Sequence, residues 1–245
     1  EPPVNLGSTI NTTTPDGSPC LSADGLSLYF ESIRDDGYGK LDLWVTTRVS
    51  ISDSWATPIN LGPAVNSSAN DMGASISADD LTLFFQSNRP GGFGEEDIYV
   101  STRATASDPW GTAVNLGPMV NSPSVDGQPC ITFDGLVLIF CSDRLEGFGD
   151  WDIWVTTRAT LNDDWGVPMN LGPIVNTSTG EAEPFLSPDG RILYFSDWWL
   201  PRPGGIGNTD LWQVSIHPKL ESIRQDGKIE LIQEPVVNFD RKGVI

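Results

Sequence analysis

The stretch NLGPAVNSS at residues 60–68 occurs four times in the chain in closely related forms. The other copies read NLGSTINTT from Asn5, NLGPMVNSP from Asn115 and NLGPIVNTS from Asn170, so successive copies begin 55 residues apart. A fixed period of this length is typical of solenoids and propellers. The sequence therefore predicts a stacked or circular repeat architecture.

Each repeat contains the patterns of four antiparallel strands and no helix pattern. The alternating runs LSLYF, LTLFF, LVLIF and ILYF predict one half-buried strand, and LDLWVTT, EDIYVST, WDIWVTT and TDLWQVS predict the next. Glycine-rich loops such as GGFGEE join these two strands as hairpins. A short strand ending in a turn of the SADG type precedes them, and a fourth strand follows Trp55, Trp110 or Trp165 and runs into the NLG phrase.

The repeat resembles a known family. The pattern SPDG-x-x-LYF-S-x-R-x-GG-x-G-x-x-DIWV is similar to the WD-like propeller repeat of the TolB type, and the likeness covers nearly the whole chain. The resemblance implies an all-β propeller of four-stranded blades, with the strand before SADG innermost. It also implies an extracytoplasmic location, because the family is common in exported bacterial proteins. It does not imply one function, since such folds carry many.

We expect a single propeller domain over residues 1–245, with four blades of four strands. The repeats cover approximately residues 8–62, 63–117, 118–172 and 173–240. The phrase EPVVNFD near the end echoes EPPVNLG at the start, so residues 1–7 and 229–240 are both candidates for a strand that closes the ring. A five-bladed ring and a fragment of a longer array remain as alternatives.

Composition narrows the possible partners. The net charge of −19 and the pI near 4.1 disfavour nucleic acid and anionic membranes. No apolar run approaches the length of a membrane span, so we expect a soluble chain with no membrane insertion. Cations, neutral sugars and basic proteins suit this charge, and a monomer is the favoured state. The three cysteines form no even disulfide framework, which indicates structural thiols.

One carboxylate per blade stands just before each innermost strand. We expect these four side chains to meet at a mouth of the central channel, where they could bind a ligand or a hard cation such as calcium. The alternative is that each one caps its own turn; no cofactor is required in either case. The four residues are Asp16, Asp71, Asp126 and Glu181.

Repeat four departs from the pattern. It adds Glu183, and its SDWWLPRPGGIG loop is three residues longer and lacks the arginine seen at Arg34, Arg89 and Arg144. Exposed tryptophans beside carboxylates suit a saccharide, and an arginine can bind an acidic sugar or a peptide carboxylate. The alternative is that the tryptophans pack an irregular closing blade. The added candidate ligand-binding residues are Glu183, Trp151, Trp198, Trp199 and Arg202.

Two functions stay open from the sequence. The favoured one is a binding module that recognises a glycan or a protein partner at the channel mouth. The alternative is a carbohydrate-active enzyme, a glycoside hydrolase or polysaccharide lyase, in which Glu181 or Glu183 works with Asp16, Asp71 or Asp126. The single histidine, His217, makes a histidine-based mechanism a poor candidate. Glu181 and Glu183, two residues apart on a strand, are expected to share one face.

Overall fold

The computed structural model describes residues 2–198 and 200–216, and this part of the chain is all-β without a helix. No segment of it is therefore a helix able to cross a membrane. The strands in chain order are β1 (Asp16–Leu21), β2 (Ser27–Ser32), β3 (Asp42–Thr47), β4 (Ile59–Asn60), β5 (Asp71–Ile76), β6 (Thr82–Ser87), β7 (Asp97–Thr102), β8 (Val114–Asn115), β9 (Asp126–Ile131), β10 (Val137–Ser142), β11 (Asp152–Thr157), β12 (Met169–Asn170), β13 (Gly180–Leu186), β14 (Ile192–Trp198) and β15 (Leu211–Ser215).

Four antiparallel sheets are arranged as the four blades of a propeller, which confirms the predicted fold class. Blades one to three each contain four strands, in the orders β1-β2-β3-β4, β5-β6-β7-β8 and β9-β10-β11-β12. Blade four contains β13-β14-β15 in the described part of the chain. The first strand of each blade is innermost, as the resemblance implies, because these strands pack against one another around a central cavity.

Each innermost strand carries a β-bulge at the same place. The register shifts between Gly17 and Cys20 in β1, and at the equivalent points in β5, β9 and β13. One residue of each bulge has a positive φ, between 47° and 62°: Ser18, Gly73, Gln128 and Glu183. A bulge re-aims the side chains of its strand. All four bulge residues line the central cavity.

Neighbouring blades meet through a repeated apolar face. Phe84 and Ile98 of blade two pack against Ile131 and Leu138 of blade three, and all four are buried. The innermost strands are also linked by hydrogen bonds to backbone N–H groups of the next blade: the Ser75 hydroxyl accepts from Ile131 (3.0 Å), and the Cys130 thiol accepts from Leu186 (3.4 Å). Cys130 is thus a buried structural thiol, as expected, and burial raises its pKa to about 11.

The NLG phrase is the crossover between blades, which explains its repetition. Gly62 has a φ of 80°, where a side chain would be strained, and its N–H is held by the Asn60 side chain (2.8 Å). Asn66 is buried and bonds both the N–H and the C=O of Leu43 (2.9 Å each). Asn66 and its buried equivalent Asn176 each stand in an N-x-S/T sequence, which is the acceptor pattern for N-glycosylation. Their structural role in the repeat accounts for that sequence without glycosylation.

Among residues 2–198 and 200–216, blades one and four do not pack together like the other neighbours. The inner strands β1, β5, β9 and β13 pack in sequence, whereas β1 and β13 share no comparable contact in the described residues. Residues 2–7, one of the two predicted ring-closing segments, form no strand. The other, 229–240, lies outside the described residues, as does His217.

Candidate functional site

The four carboxylates predicted to meet at the channel mouth, called the ring carboxylates below, lie inside their own blades. Asp71, the first residue of β5, is fully buried. Its Oδ2 accepts hydrogen bonds from the Ser67 backbone N–H (2.5 Å) and hydroxyl (2.9 Å), and its Oδ1 accepts one from the Arg89 guanidinium (2.5 Å). A buried carboxylate stays ionised only with such partners. The ion pair therefore accounts for an aspartate at this position.

The arginine of each pair also ties its blade to the preceding crossover. Arg89 donates to the backbone carbonyl of Val65 (2.5 Å), and its guanidinium carbon lies 4.6 Å from the ring centroid of Tyr99. Blades one and three repeat the arrangement with the ion pairs Asp16–Arg34 and Asp126–Arg144. These contacts give the arginines a structural role in the blade.

Blade four keeps this arginine, and the expectation that it is missing is wrong. Arg202 comes from the longer loop, three residues beyond the usual position, and its Nη1 lies 3.7 Å from Oε1 of Glu181. It also donates to the carbonyls of Val175 and Ile174, and it lies 5.1 Å from the Trp212 ring centroid. The guanidinium predicted to hold an acidic ligand is thus engaged within the blade.

The ring carboxylates do not form a metal site in this arrangement. Each one is paired with an arginine of its own blade. Within residues 2–198 and 200–216, no group of three or more His, Cys, Asp or Glu side chains is placed to hold a metal ion. The predicted calcium site at Asp16, Asp71, Asp126 and Glu181 therefore finds no support in the geometry.

The pKa values of the ring carboxyls in blades one and four shift in opposite directions. For Asp16, burial opposes ionisation, but hydrogen bonds from Ser32, Thr12 and Arg34 outweigh it and lower the pKa from its ordinary value of 3.8. For Glu181, burial is the larger effect and raises the pKa above 4.5, although Thr177 and Arg202 favour the ionised form. Equivalent positions thus hold carboxylates of different acidity.

The two candidate catalytic carboxylates have different surroundings. Glu181 is fully buried and bonded to Thr177, whereas Glu183 is exposed and lines the central cavity. The bulge of β13 falls between Ala182 and Phe185 and breaks the alternation on which a shared face would depend. Glu183 is the one of the pair that solvent can reach.

Trp151 and Trp198 stack on each other rather than forming an open platform. Their ring centroids lie 6.1 Å apart with an interplanar angle of 18°, and both rings pack against the core shared by blades three and four. Gly180 lies beside both, since a Cβ there would come within 3.4 Å of each tryptophan Cβ. One face of each ring is therefore covered. Trp199 lies outside the described residues.

A central cavity of about 1310 Å³ lies among the four innermost strands. It extends from the bulge residues to the SADG-type turns. Its walls include Pro129, Pro184, Ile131 and Leu186. Two phenylalanines at its surface, Phe133 and Phe185, are 67% and 59% exposed. Such exposure of large apolar side chains in a cavity is typical of a binding surface.

Sequence reasoning missed both phenylalanines, although each is a departure from the repeat. Phe133 replaces an alanine of the SADG phrase, where Ala23 and Ala78 stand in blades one and two. Phe185 stands where the other blades have Cys20, Ser75 and Cys130. The available signal was a large aromatic residue at a position that is small elsewhere in the repeat.

The charged side chains that line the cavity are acidic. Glu183, Asp134 and Asp189 line it, and the described residues of its lining include no lysine, arginine or histidine. Asp189 is held in its turn by Ser187 and the backbone N–H of Arg191. Glu183 accepts a hydrogen bond from the Ser196 hydroxyl (3.2 Å) and forms no ion pair in the described part of the chain.

A smaller groove of about 600 Å³ lies between blades two and three and shares Phe133 with the central cavity. The matching space between blades one and two contains a polar network in which the Tyr29 hydroxyl donates to Asp80 (2.8 Å) and Arg103 pairs with Asp80. Phe84 and Gly135 replace that tyrosine and aspartate in blades two and three. The groove thus extends the apolar surface around Phe133.

No protein-family model matches the chain, and no curated protein matches it. Solved structures do match. TolB from Acinetobacter baumannii has a TM-score of 0.58 at 18% identity, over 86% of this chain and 43% of that one. A thermostable family-43 glycoside hydrolase has a TM-score of 0.57 at 15% identity, over 88% of this chain and 74% of the other.

An alpha-L-arabinofuranosidase from Lactobacillus brevis is also similar, with a TM-score of 0.54 at 13% identity over 83% of this chain and 74% of that one. Likeness at these identities shows a shared β-propeller fold and carries no activity with it. The chain spans less than half the length of the TolB structure.

Proposed function

We propose that this chain is a binding module, an extracytoplasmic propeller of the WD-like type whose central cavity recognises a segment of a protein partner. The observation that carries the proposal is the exposed apolar surface around Phe133 and Phe185 in a cavity of about 1310 Å³. That volume exceeds the usual range of roughly 300–1,000 Å³ for small-molecule pockets, so it suits a peptide segment better than a small molecule.

A protein partner fits the lining better than a glycan does. The cavity lining combines proline, isoleucine, leucine and phenylalanine side chains with serine, threonine, glutamine and acidic ones, and its two exposed aromatic side chains, Phe133 and Phe185, have no hydrogen-bonding group to offer a sugar. Two of the tryptophans that suggested sugar stacking, Trp151 and Trp198, each cover one face of the other. The location and the family remain part of the proposal and rest on the resemblance of the repeat.

The proposal can be tested with a phage-displayed library of short random peptides. Selection on the wild type is compared with selection on the double variant Phe133→Ala, Phe185→Ser, which we expect to fold because both side chains are exposed and Ser75 occupies the position of Phe185 in blade two. The matched control is Phe93→Ala, Phe148→Ala, which removes two exposed phenylalanines outside the cavity.

We expect peptides that bind the wild type and the control but not the cavity variant. A panel of neutral and acidic polysaccharides is run in parallel, with retention and the release of reducing or unsaturated ends both measured. Retention of a polysaccharide without peptide binding would overturn the protein-partner proposal in favour of a glycan. Release of sugar ends would establish the enzyme alternative instead.

A further inference from the structure

The bulge position of the four innermost strands contains one charged residue. The residues there are Ser18, Gly73, Gln128 and Glu183, and all four line the cavity. Their φ angles agree within 15°, so the fold sets the backbone geometry and blade four alone adds a charge. Glu183 is therefore a carboxylate that the repeat does not require.

Glu183 differs from the other acidic residues of the inner strands in what it contacts. The carboxylates that begin these strands are each matched by an arginine of the same blade, as in Glu181–Arg202. Glu183 is exposed and has the Ser196 hydroxyl as its side-chain partner, with no cation beside it among the described residues. A carboxylate of this kind, in an acidic cavity without a basic lining residue, attracts a cation.

The walls between Glu183 and the turn end of the cavity are apolar. Pro184 and Leu186 follow Glu183 in its own strand, and Pro129 and Ile131 occupy the equivalent places in β9. A ligand group that suits both features has an apolar stem and a cationic end. Lysine and arginine side chains have this composition, since they bury their methylene stems and keep the charge at the tip.

We propose that the partner inserts a lysine or arginine side chain into the central cavity, where its stem packs against the apolar walls and its cationic head pairs with Glu183. This inference rests on the proposed function for the identity of the partner as a protein. The pairing itself can be tested with a small probe, so that the two can fail separately.

The probe is N-acetylarginine methylamide, with N-acetylcitrulline methylamide as its neutral isostere, titrated while the methyl signals of Ile76, Ile131 and Leu186 are followed by NMR. We expect saturable shifts with the arginine probe and much weaker ones with citrulline. Glu183→Gln should weaken arginine binding roughly tenfold or more, since hydrogen bonds to charged groups contribute about 1.5–3 kcal/mol. Gln128 occupies the same bulge position, so the variant backbone is compatible with glutamine.

The matched control is Glu146→Gln, which removes a charge from another exposed glutamate of positive φ, outside the cavity. Equal binding of arginine and citrulline, or equal binding by wild type and Glu183→Gln, would overturn the inference. If peptides selected on the cavity bind without any basic residue, the inference falls and the protein-binding function stands. If the arginine probe binds through Glu183 while no peptide is ever selected, the inferred pairing stands and the protein-binding function falls.

Discussion

Blades one to three and blade four are built from the same sequence repeat, but they differ in the face that each turns toward the next blade. Ile153 in blade three is fully buried against blade four, whereas Leu211, its equivalent in blade four, is 88% exposed. Tyr29, Phe84 and Ile139 are buried in the same way, and Tyr194 at their position is 38% exposed.

The innermost strands show the same difference. The side chains of Ser75 and Cys130 each accept a hydrogen bond from a backbone N–H in the innermost strand of the next blade. Phe185, at the same position in blade four, lies in the open cavity. In a repeat protein each unit contacts mainly its neighbours. In the described part of the chain no further innermost strand packs against Phe185 as β9 packs against Ser75, and a phenylalanine stands there in place of cysteine or serine.

The largest effect we expect is from breaking a buried ion pair in a regular blade. Asp126→Asn leaves the Arg144 guanidinium without its carboxylate in a buried site, which typically costs about 3–5 kcal/mol. Glu181→Gln should cost much less, because burial already disfavours the ionised form of Glu181 and Arg202 lies further away, at 3.7 Å. Urea denaturation measures both, with Asp150→Asn as an exposed control. Equal losses of unfolding free energy in Asp126→Asn and Glu181→Gln would mean that the ion pairs of blades three and four stabilise the fold equally.

The second prediction concerns the two equivalent apolar faces. Ile153→Ala should lower the free energy of unfolding by about 2–5 kcal/mol, because it leaves a cavity in a fully buried site. Leu211→Ala should change it by roughly 0.5 kcal/mol or less, since that side chain is exposed. The same denaturation experiment compares them. A large loss in Leu211→Ala would show that the face of blade four is covered in solution.

The structure of blades one to three could be predicted from the sequence, because every strand and turn pattern is seen several times at one spacing. The chain order of the strands, the hairpins and the NLG crossover follow from that repetition. The partner of each ring carboxylate could not be predicted, since Arg89 lies 18 residues from Asp71 and reaches it only once β5 and β6 are paired.

Blade four was less predictable for a similar reason. Arg202 lies three residues beyond the repeat position, so alignment by sequence alone indicates that the arginine is missing. Phe185 and Leu211 follow ordinary strand patterns, and a pattern does not reveal whether the neighbouring blade covers them. Exposure of these residues is a property of the whole ring, not of the local sequence.

The third prediction uses the opposite pKa shifts of blades one and four. Asp16 has a lowered pKa in the folded state, so its contribution to stability is present at neutral pH and is lost as the pH falls below about 3.8. The gap in Tm between wild type and Asp16→Asn should therefore narrow on acidification.

For Glu181 the sign is reversed. Its raised pKa means that the folded state holds the proton more tightly, and this contribution is lost as the pH rises above 4.5. The wild type should therefore lose stability relative to Glu181→Gln as the pH rises through this region. A pH series of thermal melts measures both gaps, and parallel curves for the two variants would contradict the contrast.

The last prediction, also of a small effect, concerns the glycine that makes room for the tryptophan pair. Pro15, Asn70 and Val125 stand at the position of Gly180 in the other blades, so the backbone there accepts a side chain. In Gly180→Ala the new Cβ would lie 3.2 Å from the Cβ of Trp198 and 3.4 Å from that of Trp151. Both contacts involve atoms next to the main chain, so the two tryptophans must shift by a few tenths of an ångström.

We expect a stability loss of about 1 kcal/mol or less, because mild overpacking is partly offset by the lower entropy of the unfolded chain. The clearer measurement is circular dichroism of the coupled indoles, whose 6.1 Å separation and 18° angle should change. Gly207→Ala, in the same blade with its nearest contact at 3.6 Å, should leave the indole signal as it is. If both variants change the signal alike, Gly180 is not what sets the tryptophan stack, and the stack would then depend on the longer loop of blade four rather than on the start of β13.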